Sequence, residues 1–202
     1  AENQIAGSTL TAFNDLTISD SGTDLVLADT SINAFGNVTL AASDLYNLTV
    51  SSGAVIDGTG VTGNLVGGEY VAGGAITFDA AATIASASFD GSDAVTLAAS
   101  GDIELGNVKA NDGASLTAGG VIDGSTIVAN HGDATLTATQ IGSSTITAQD
   151  GKVVLGAEDL YNLTVLSADV IDGTGVSGNL VGGEYVAGGA ITFDAAATIA
   201  SA

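Results

Sequence analysis

The stretch Ala114–Gly151 reads as two nineteen-residue lines laid end to end, ASLTAGGVIDGSTIVANHG and DATLTATQIGSSTITAQDG. Each line carries a Leu near its start (Leu116, Leu136) and an Ile after its middle (Ile122, Ile141). Each then has a second Ile (Ile127, Ile146), an Ala (Ala129, Ala148) and a closing Gly (Gly132, Gly151). A short unit repeated at fixed period cannot bury its own apolar face and needs the units on either side of it. The fold expected from this stretch is all-β: a right-handed parallel β-helix, or β-solenoid, of about 19 residues per coil and roughly ten coils. The hand is the one that crossovers between parallel strands favour.

Working outward, closing glycines are read at Gly36, Gly53, Gly74, Gly91, Gly113, Gly132 and Gly151, with spacings of 17, 21, 17, 22, 19 and 19. A second column sets the same phase. Thr39, Thr77, Thr96, Ser115, Thr135, Val154 and Thr192 are each followed by an apolar residue: Leu40, Phe78, Leu97, Leu116, Leu136, Leu155 and Phe193. The alternation is that of a half-buried strand, polar side out and apolar side in. The column skips one coil between Thr39 and Thr77 and another between Val154 and Thr192. The first skipped coil, Gly53–Gly74, is Gly-rich, carries Glu69 and Tyr70, and reads as a coil with a longer or distorted turn.

A larger repeat lies over the small one. Asp44–Ala87 and Asp159–Ala202 are offset by 115 residues and identical at 40 of 44 positions, which makes a superunit of six coils. The organisation expected is one solenoid over 1–202 that belongs to a longer array. Its first coils, 1–36, are irregular; one superrepeat covers 44–158 and the next copy starts over 159–202. Leu10-Thr11-Ala12, Leu16-Thr17-Ile18 and Leu25-Val26-Leu27 are candidate strands of the irregular part, with Gly22 a candidate turn.

Composition agrees and excludes. Gly makes up 29 of 202 residues, and Pro, Cys, Met and Trp are absent. The hydrophobic fraction is 46% and the aromatic fraction 4%, so the core is built from small aliphatic side chains. The 23 acidic residues face only Lys109 and Lys152, a net charge of −21. A nucleic-acid partner needs a cationic surface, and so does an anionic bilayer; neither fits this chain. No apolar run reaches the ~18 residues of a membrane helix, and nine Tyr and Phe together are too few for the aromatic girdles of a membrane barrel.

Gly36–Ala42 (GNVTLAA), Ala114–Ile122 (ASLTAGGVI) and Gly132–Ala138 (GDATLTA) resemble the repeats of filamentous haemagglutinin-type β-helix proteins, large repetitive bacterial surface adhesins. The resemblance implies a secreted, surface-exposed, rod-like stalk and supplies no catalytic motif. The near-absence of basic residues and the near-identical superrepeat depart from that pattern.

Candidate chemistry is sparse. Gly58–Gly63 and Gly173–Gly178 fit GxGxxG, but a dinucleotide site needs a helix to open at the last Gly, and Asn64-Leu65-Val66-Gly67-Gly68 is a poor helix, so a turn is expected. Asp90-Gly91, Asp112-Gly113 and Asp150-Gly151 repeat a carboxylate before the closing Gly, with His131 in that place in a fourth coil. Carboxylates stacked one coil apart repel by about 0.9 kcal/mol in water, which bound Ca²⁺ would relieve. Asp-Gly is also ordinary turn chemistry, the calcium-roll nonapeptide is absent, and no cofactor or metal is expected beyond that Ca²⁺ alternative. His131 is the single His, there is no Cys, and no nucleophile motif surrounds it. The outward Thr column is read as strand propensity on an exposed face, and the sequons at Asn37, Asn47 and Asn162 as chance.

The function expected is structural and not enzymatic: an extracellular or cell-surface bacterial fibre or stalk that associates with itself, head-to-tail or laterally. No catalytic, cofactor-binding or metal residue is assigned. The alternative is an adhesin whose side faces contact a host surface or glycan through Glu69-Tyr70 and Glu184-Tyr185.

Overall fold

Each turn of the chain lays down three short strands, one on each of three parallel sheets. In the computed structural model, residues 3–20, 24–80, 82–194 and 199–200 are described, and they form 31 strands. Every third strand joins the same sheet, giving sheets of 11, 10 and 10 strands. The first sheet starts with Asn3–Ala6, the second with Thr9–Ala12 and the third with Leu16–Ser19. All pairings are parallel. This is a parallel β-solenoid of about ten coils of about 19 residues; at ~4.8 Å per rung it is about 50 Å long.

The first coils join the ladder like the rest. Asn3 pairs with Leu25, Thr9 with Ser31 and Leu16 with Val38, 22 residues apart in each case. Their irregularity is one of length. Gly22 lies outside the described residues.

Alternation along each strand sends one set of side chains inward, and parallel pairing stacks like on like. On the first sheet Leu27, Leu45, Leu65, Ile84, Ile103, Ile122, Ile141 and Leu160 form one buried aliphatic column. The second sheet stacks Ile32, Val50, Tyr70, Phe89, Val108, Ile127, Ile146 and Val165, beside a column of Ala, Gly and Ser. The third sheet holds the predicted Leu/Phe column, in register from Phe78 through Leu97, Leu116 and Leu136 to Leu155. Each buried Leu or Ile contributes about 1.5–3 kcal/mol, spread evenly over the rungs.

The skipped coils are explained by compensation. Thr39 pairs with Asp57 and Asp57 with Thr77, so Gly58 occupies the inward site that Leu or Phe holds elsewhere. A Cβ at Gly58 would collide with the Phe78 ring, which occupies the space a side chain would take there. Gly173 and Phe193 repeat the arrangement. Register also balances: Val38 to Ile56 is 18 residues and Ile56 to Ile76 is 20, together two coils of 19. The distortion expected here sits in the turn over 59–64, with Val61 buried.

The closing-glycine column needs correction. Gly91 lies inside the strand Ser88–Gly91, pairs with Ala72 and Ala110, and points into the core. Gly53 and Gly74 sit at the corner between the second and third sheets, but at different positions of it: one directly follows the strand Thr49–Ser52, and the other lies two residues beyond the strand Glu69–Ala72. The Thr/Leu column therefore gives the true phase.

The sharpest turn is at another corner, between the first and second sheets. Gly7, Asp29, Asn47, Gly67, Ser86, Gly124, Ser143, Asn162 and Gly182 occupy it in successive rungs and all have φ between 41° and 69°. Among the described residues, every positive φ falls at this corner. The left-handed residue lets a strand end and the next begin after only two intervening residues, as between Ala28 and Ser31. The following residue turns inward. Where it is a hydroxyl it bonds back two residues: Thr30 Oγ1 to the Ala28 carbonyl at 2.8 Å, Ser144 Oγ to Gly142 at 2.7 Å. In one rung Leu105 replaces this geometry, and its N–H donates to Ser125 Oγ at 3.2 Å.

Two predictions follow from corner and core. Ser143 is exposed, so substitution there tests the backbone alone. Ser143→Gly should leave the unfolding midpoint unchanged or raised, and Ser143→Val should lower stability by about 1–2 kcal/mol. In the core, Gly58→Ala should destabilise by about 1–3 kcal/mol through overpacking. Combined with Phe78→Leu it should cost clearly less than the sum of the single changes, as read by a double-mutant cycle in denaturant.

Candidate functional site

A concavity that combines charge, amide and hydroxyl groups lies on the outer face of the second sheet. It spans the strands Glu69–Ala72, Ser88–Gly91 and Asn107–Ala110. Glu69, Ser88 and Asn107 form one outward column and Val71, Asp90 and Lys109 the other. The groove between them measures about 310 Å³, with Tyr70 and Phe89 behind it. Lys109 Nζ lies 3.2 Å from Asp90 Oδ2, with both side chains at least half exposed (57% and 50%), so the pair adds at most about 1 kcal/mol. The groove offers carboxylate, amide, hydroxyl and ammonium groups within three rungs, a set suited to hydrogen-bonding a hydroxyl-rich ligand.

Tyr70 does not belong to that surface. It points inward, is 0% exposed, and its ring stacks on Phe89 and meets Phe78 edge-on, both at 5.1 Å. Of the Glu69-Tyr70 pair only Glu69 lies on the side face, because adjacent strand residues face opposite ways. Tyr185 is likewise inward, edge-on to Phe193 at 5.4 Å. Among the described residues, neither tyrosine hydroxyl has a hydrogen-bond partner. Burial pushes the Tyr70 phenol well above its ordinary range and that of Tyr185 up to about 12.

The Asp-Gly motifs separate. Asp90 faces outward from a strand, while Asp112, His131 and Asp150 lie in successive rungs at the corner between the second and third sheets. There His131 Nδ1 meets Asp150 Oδ2 at 2.7 Å, so an imidazole interrupts the carboxylate stack. Among the described residues, no three His, Cys, Asp or Glu side chains come together where they could hold a metal ion. The GxGxxG stretches open no helix: Gly58 is a core position followed by turn over 59–64, whereas Gly173 to Val176 continue the strand Ile171–Val176. The two breaks in the outward Thr column are single positions, Asp57 and Asp172. Their Oδ1 atoms accept from the hydroxyls of Thr59 and Thr174, each at 2.7 Å, and these bonds hold the Asp172 carboxyl below its usual range.

Sequence reasoning missed what many acidic residues do. At the corners the carboxylate of one rung accepts the backbone N–H of the next: Asp15 to Asn37 (2.7 Å), Asp44 to Asn64 (2.7 Å), Asp102 to Val121 (2.8 Å), Asp133 to Lys152 (3.0 Å) and Asp159 to Asn179 (2.6 Å). The Asn179 N–H is the main cause of a lowered Asp159 pKa. Asn37 does the same for Val55 at 3.2 Å. The signal was available, since these acceptors lie 18 to 22 residues before their partners. The sequons also have local work. Asn47 and Asn162 are left-handed corner residues with φ 51°, and the Asn47 amide reaches Asp29 Oδ1 at 3.2 Å.

No family model, curated protein or solved structure matches the chain. The protein is defined by its architecture, a parallel β-solenoid.

Removing the orphaned hydroxyl gives a test of the core. Tyr70→Phe should raise stability by about 1 kcal/mol, because a buried unpaired hydroxyl costs about 1–3 kcal/mol. The pH dependence has a definite sign. The folded phenols ionise above the ordinary value of 10, so their contribution is intact below pH 10 and is lost as pH rises, through about 12 for Tyr185. Tyr70→Phe should therefore flatten the alkaline loss in denaturant melts between pH 9 and 12. A destabilised Phe variant would show that the hydroxyl has a partner.

Proposed function

We propose that this chain is a structural element of an extracellular or cell-surface bacterial fibre or stalk: a stiff right-handed β-solenoid that associates head-to-tail. The observation that carries this reading is modular. The 115-residue repeat spans six whole rungs, from the strand Asp44–Tyr46 to the strand Asp159–Tyr161 of the same sheet. Duplication by whole rungs lengthens a rod without disturbing its ladder. The resemblance of Gly36–Ala42 and Ala114–Ile122 to filamentous haemagglutinin-type repeats supports a surface stalk. The reading is not enzymatic, and the two Lys and absent Arg support that.

The groove at Glu69, Asp90, Asn107 and Lys109 favours a second reading, an adhesin that takes a glycan on its side face.

Electron microscopy of the purified chain discriminates between them. The fibre reading expects continuous filaments with a ~4.8 Å axial spacing and a subunit repeat of about 50 Å. Discrete rods that bind glycan surfaces, and lose that binding in Asn107→Ala and Lys109→Ala variants, would sink it in favour of the adhesin.

A further inference from the structure

Charge on the outer face of the second sheet is sparse for so acidic a chain. Two outward columns run along that face from Thr49 and Ser51 to Thr164 and Leu166. Over this span their charged side chains are Glu69, Asp90 and Lys109. Asp90 and Lys109 neutralise each other, with Nζ 3.2 Å from Oδ2. The other two basic side chains of the sequence, His131 and Lys152, face Asp150 and Asp133. Among the described residues the Glu69 carboxylate has neither an ion-pair nor a hydrogen-bond partner. It is therefore the uncompensated charge of this face, and it lines the groove of about 310 Å³.

The rest of the groove says what kind of molecule would meet that charge. Ser88 and Asn107 follow Glu69 at one-rung steps, so a carboxylate, a hydroxyl and an amide stand in line over about 10 Å. In the second column Val71 is 38% exposed and offers an apolar patch. A sugar ring presents both kinds of surface, hydroxyls around its edge and C–H groups on its faces. The groove lies at the small end of ligand sites and suits one or two such rings. Charge then selects among sugars. An acidic sugar would set its carboxylate against Glu69 in the field of a chain of net charge −21. A neutral sugar would give Glu69 hydroxyls alone. A sugar with a primary ammonium supplies the missing cation, and a charge-assisted hydrogen bond is shorter and stronger than a neutral one.

We propose that the groove between Glu69 and Lys109 binds an amine-bearing sugar. Its ammonium donates to the Glu69 carboxylate, its hydroxyls meet Ser88 and Asn107, and the C–H face of its ring lies on Val71. Lys109 stays with Asp90 and keeps that second carboxylate from competing for the ammonium. This rests on the adhesin reading above and names the class of glycan.

The test is calorimetric titration of the intact chain, at low salt and slightly acidic pH, with oligomers of glucosamine, N-acetylglucosamine and galacturonic acid. Wild type should bind the glucosamine oligomer most tightly and the galacturonic acid oligomer not at all. A matched pair of variants separates a built site from the general attraction of cations to an acidic rod. Glu69→Gln and Glu184→Gln each remove one exposed carboxylate from the same outward column, but the ladder neighbours of Glu184 and Val186 are Thr164 and Leu166. Glu69→Gln should weaken glucosamine binding about five- to ten-fold, and Glu184→Gln should leave it unchanged. Circular dichroism establishes that both fold. Equal weakening by the two variants would overturn the site in favour of non-specific attraction. N-acetylglucosamine bound as tightly as glucosamine, and lost in Asn107→Ala but kept in Glu69→Gln, would overturn the amine and leave the adhesin reading standing. Wild type that binds none of the three oligomers would overturn the assignment, and wild type that also fails on glycan surfaces would take the adhesin reading with it.

Discussion

The backbone ladder between rungs is the interaction on which the rest of the structure depends. A parallel strand is satisfied only if the rung on either side presents its N–H and C=O groups in step, so each coil must return to the same height and phase. Because side chains alternate with period two, a slip of one residue would turn a whole strand inside out. Length is therefore corrected locally. The 18-residue step from Val38 to Ile56 is answered by the 20-residue step from Ile56 to Ile76. Volume is corrected in the same way: Gly58 gives up its side chain where Phe78 fills the space. The aromatic group of Tyr70, Phe78 and Phe89 is the consequence, a set of large side chains gathered where one rung contributes none.

The corners are where the ladder runs out of partners, and there the chain spends its polar residues. The corner between the first and second sheets uses one left-handed residue per rung in nearly every coil. Elsewhere Asp and Asn side chains accept the N–H of the next rung, as Asp44 does for Asn64 and Asp159 for Asn179. A carboxylate does this better than a neutral acceptor because a charge-assisted bond is shorter and stronger. Part of the chain's acidity is thus structural.

These two layers explain what could be read from the sequence. The apolar columns were legible because a parallel ladder stacks like residues: Leu97, Leu116, Leu136 and Leu155 repeat one letter at one spacing. The left-handed corner was not, because Gly, Asp, Asn and Ser all serve at φ near 50° and no single letter marks the column. Gly91 misled for the converse reason: the same letter serves in the core as the small partner of Ala72 and Ala110. Tyr70 misled because Glu69 beside it is plainly a surface residue, and only the strand's alternation tells that its neighbour faces in. The groove at Asp90 and Lys109 was hidden because its residues come from three rungs and meet only when those rungs stack.

The distribution of charge bears on how such rods can meet. A net charge of −21 over a rod of about 50 Å is about one charge per 2–3 Å of length. The Debye length at physiological salt is about 8 Å, so two rods side by side would hold many like charges within each other's field. The flanks of such a rod therefore oppose side-by-side packing, and the opposition should weaken as salt screens them.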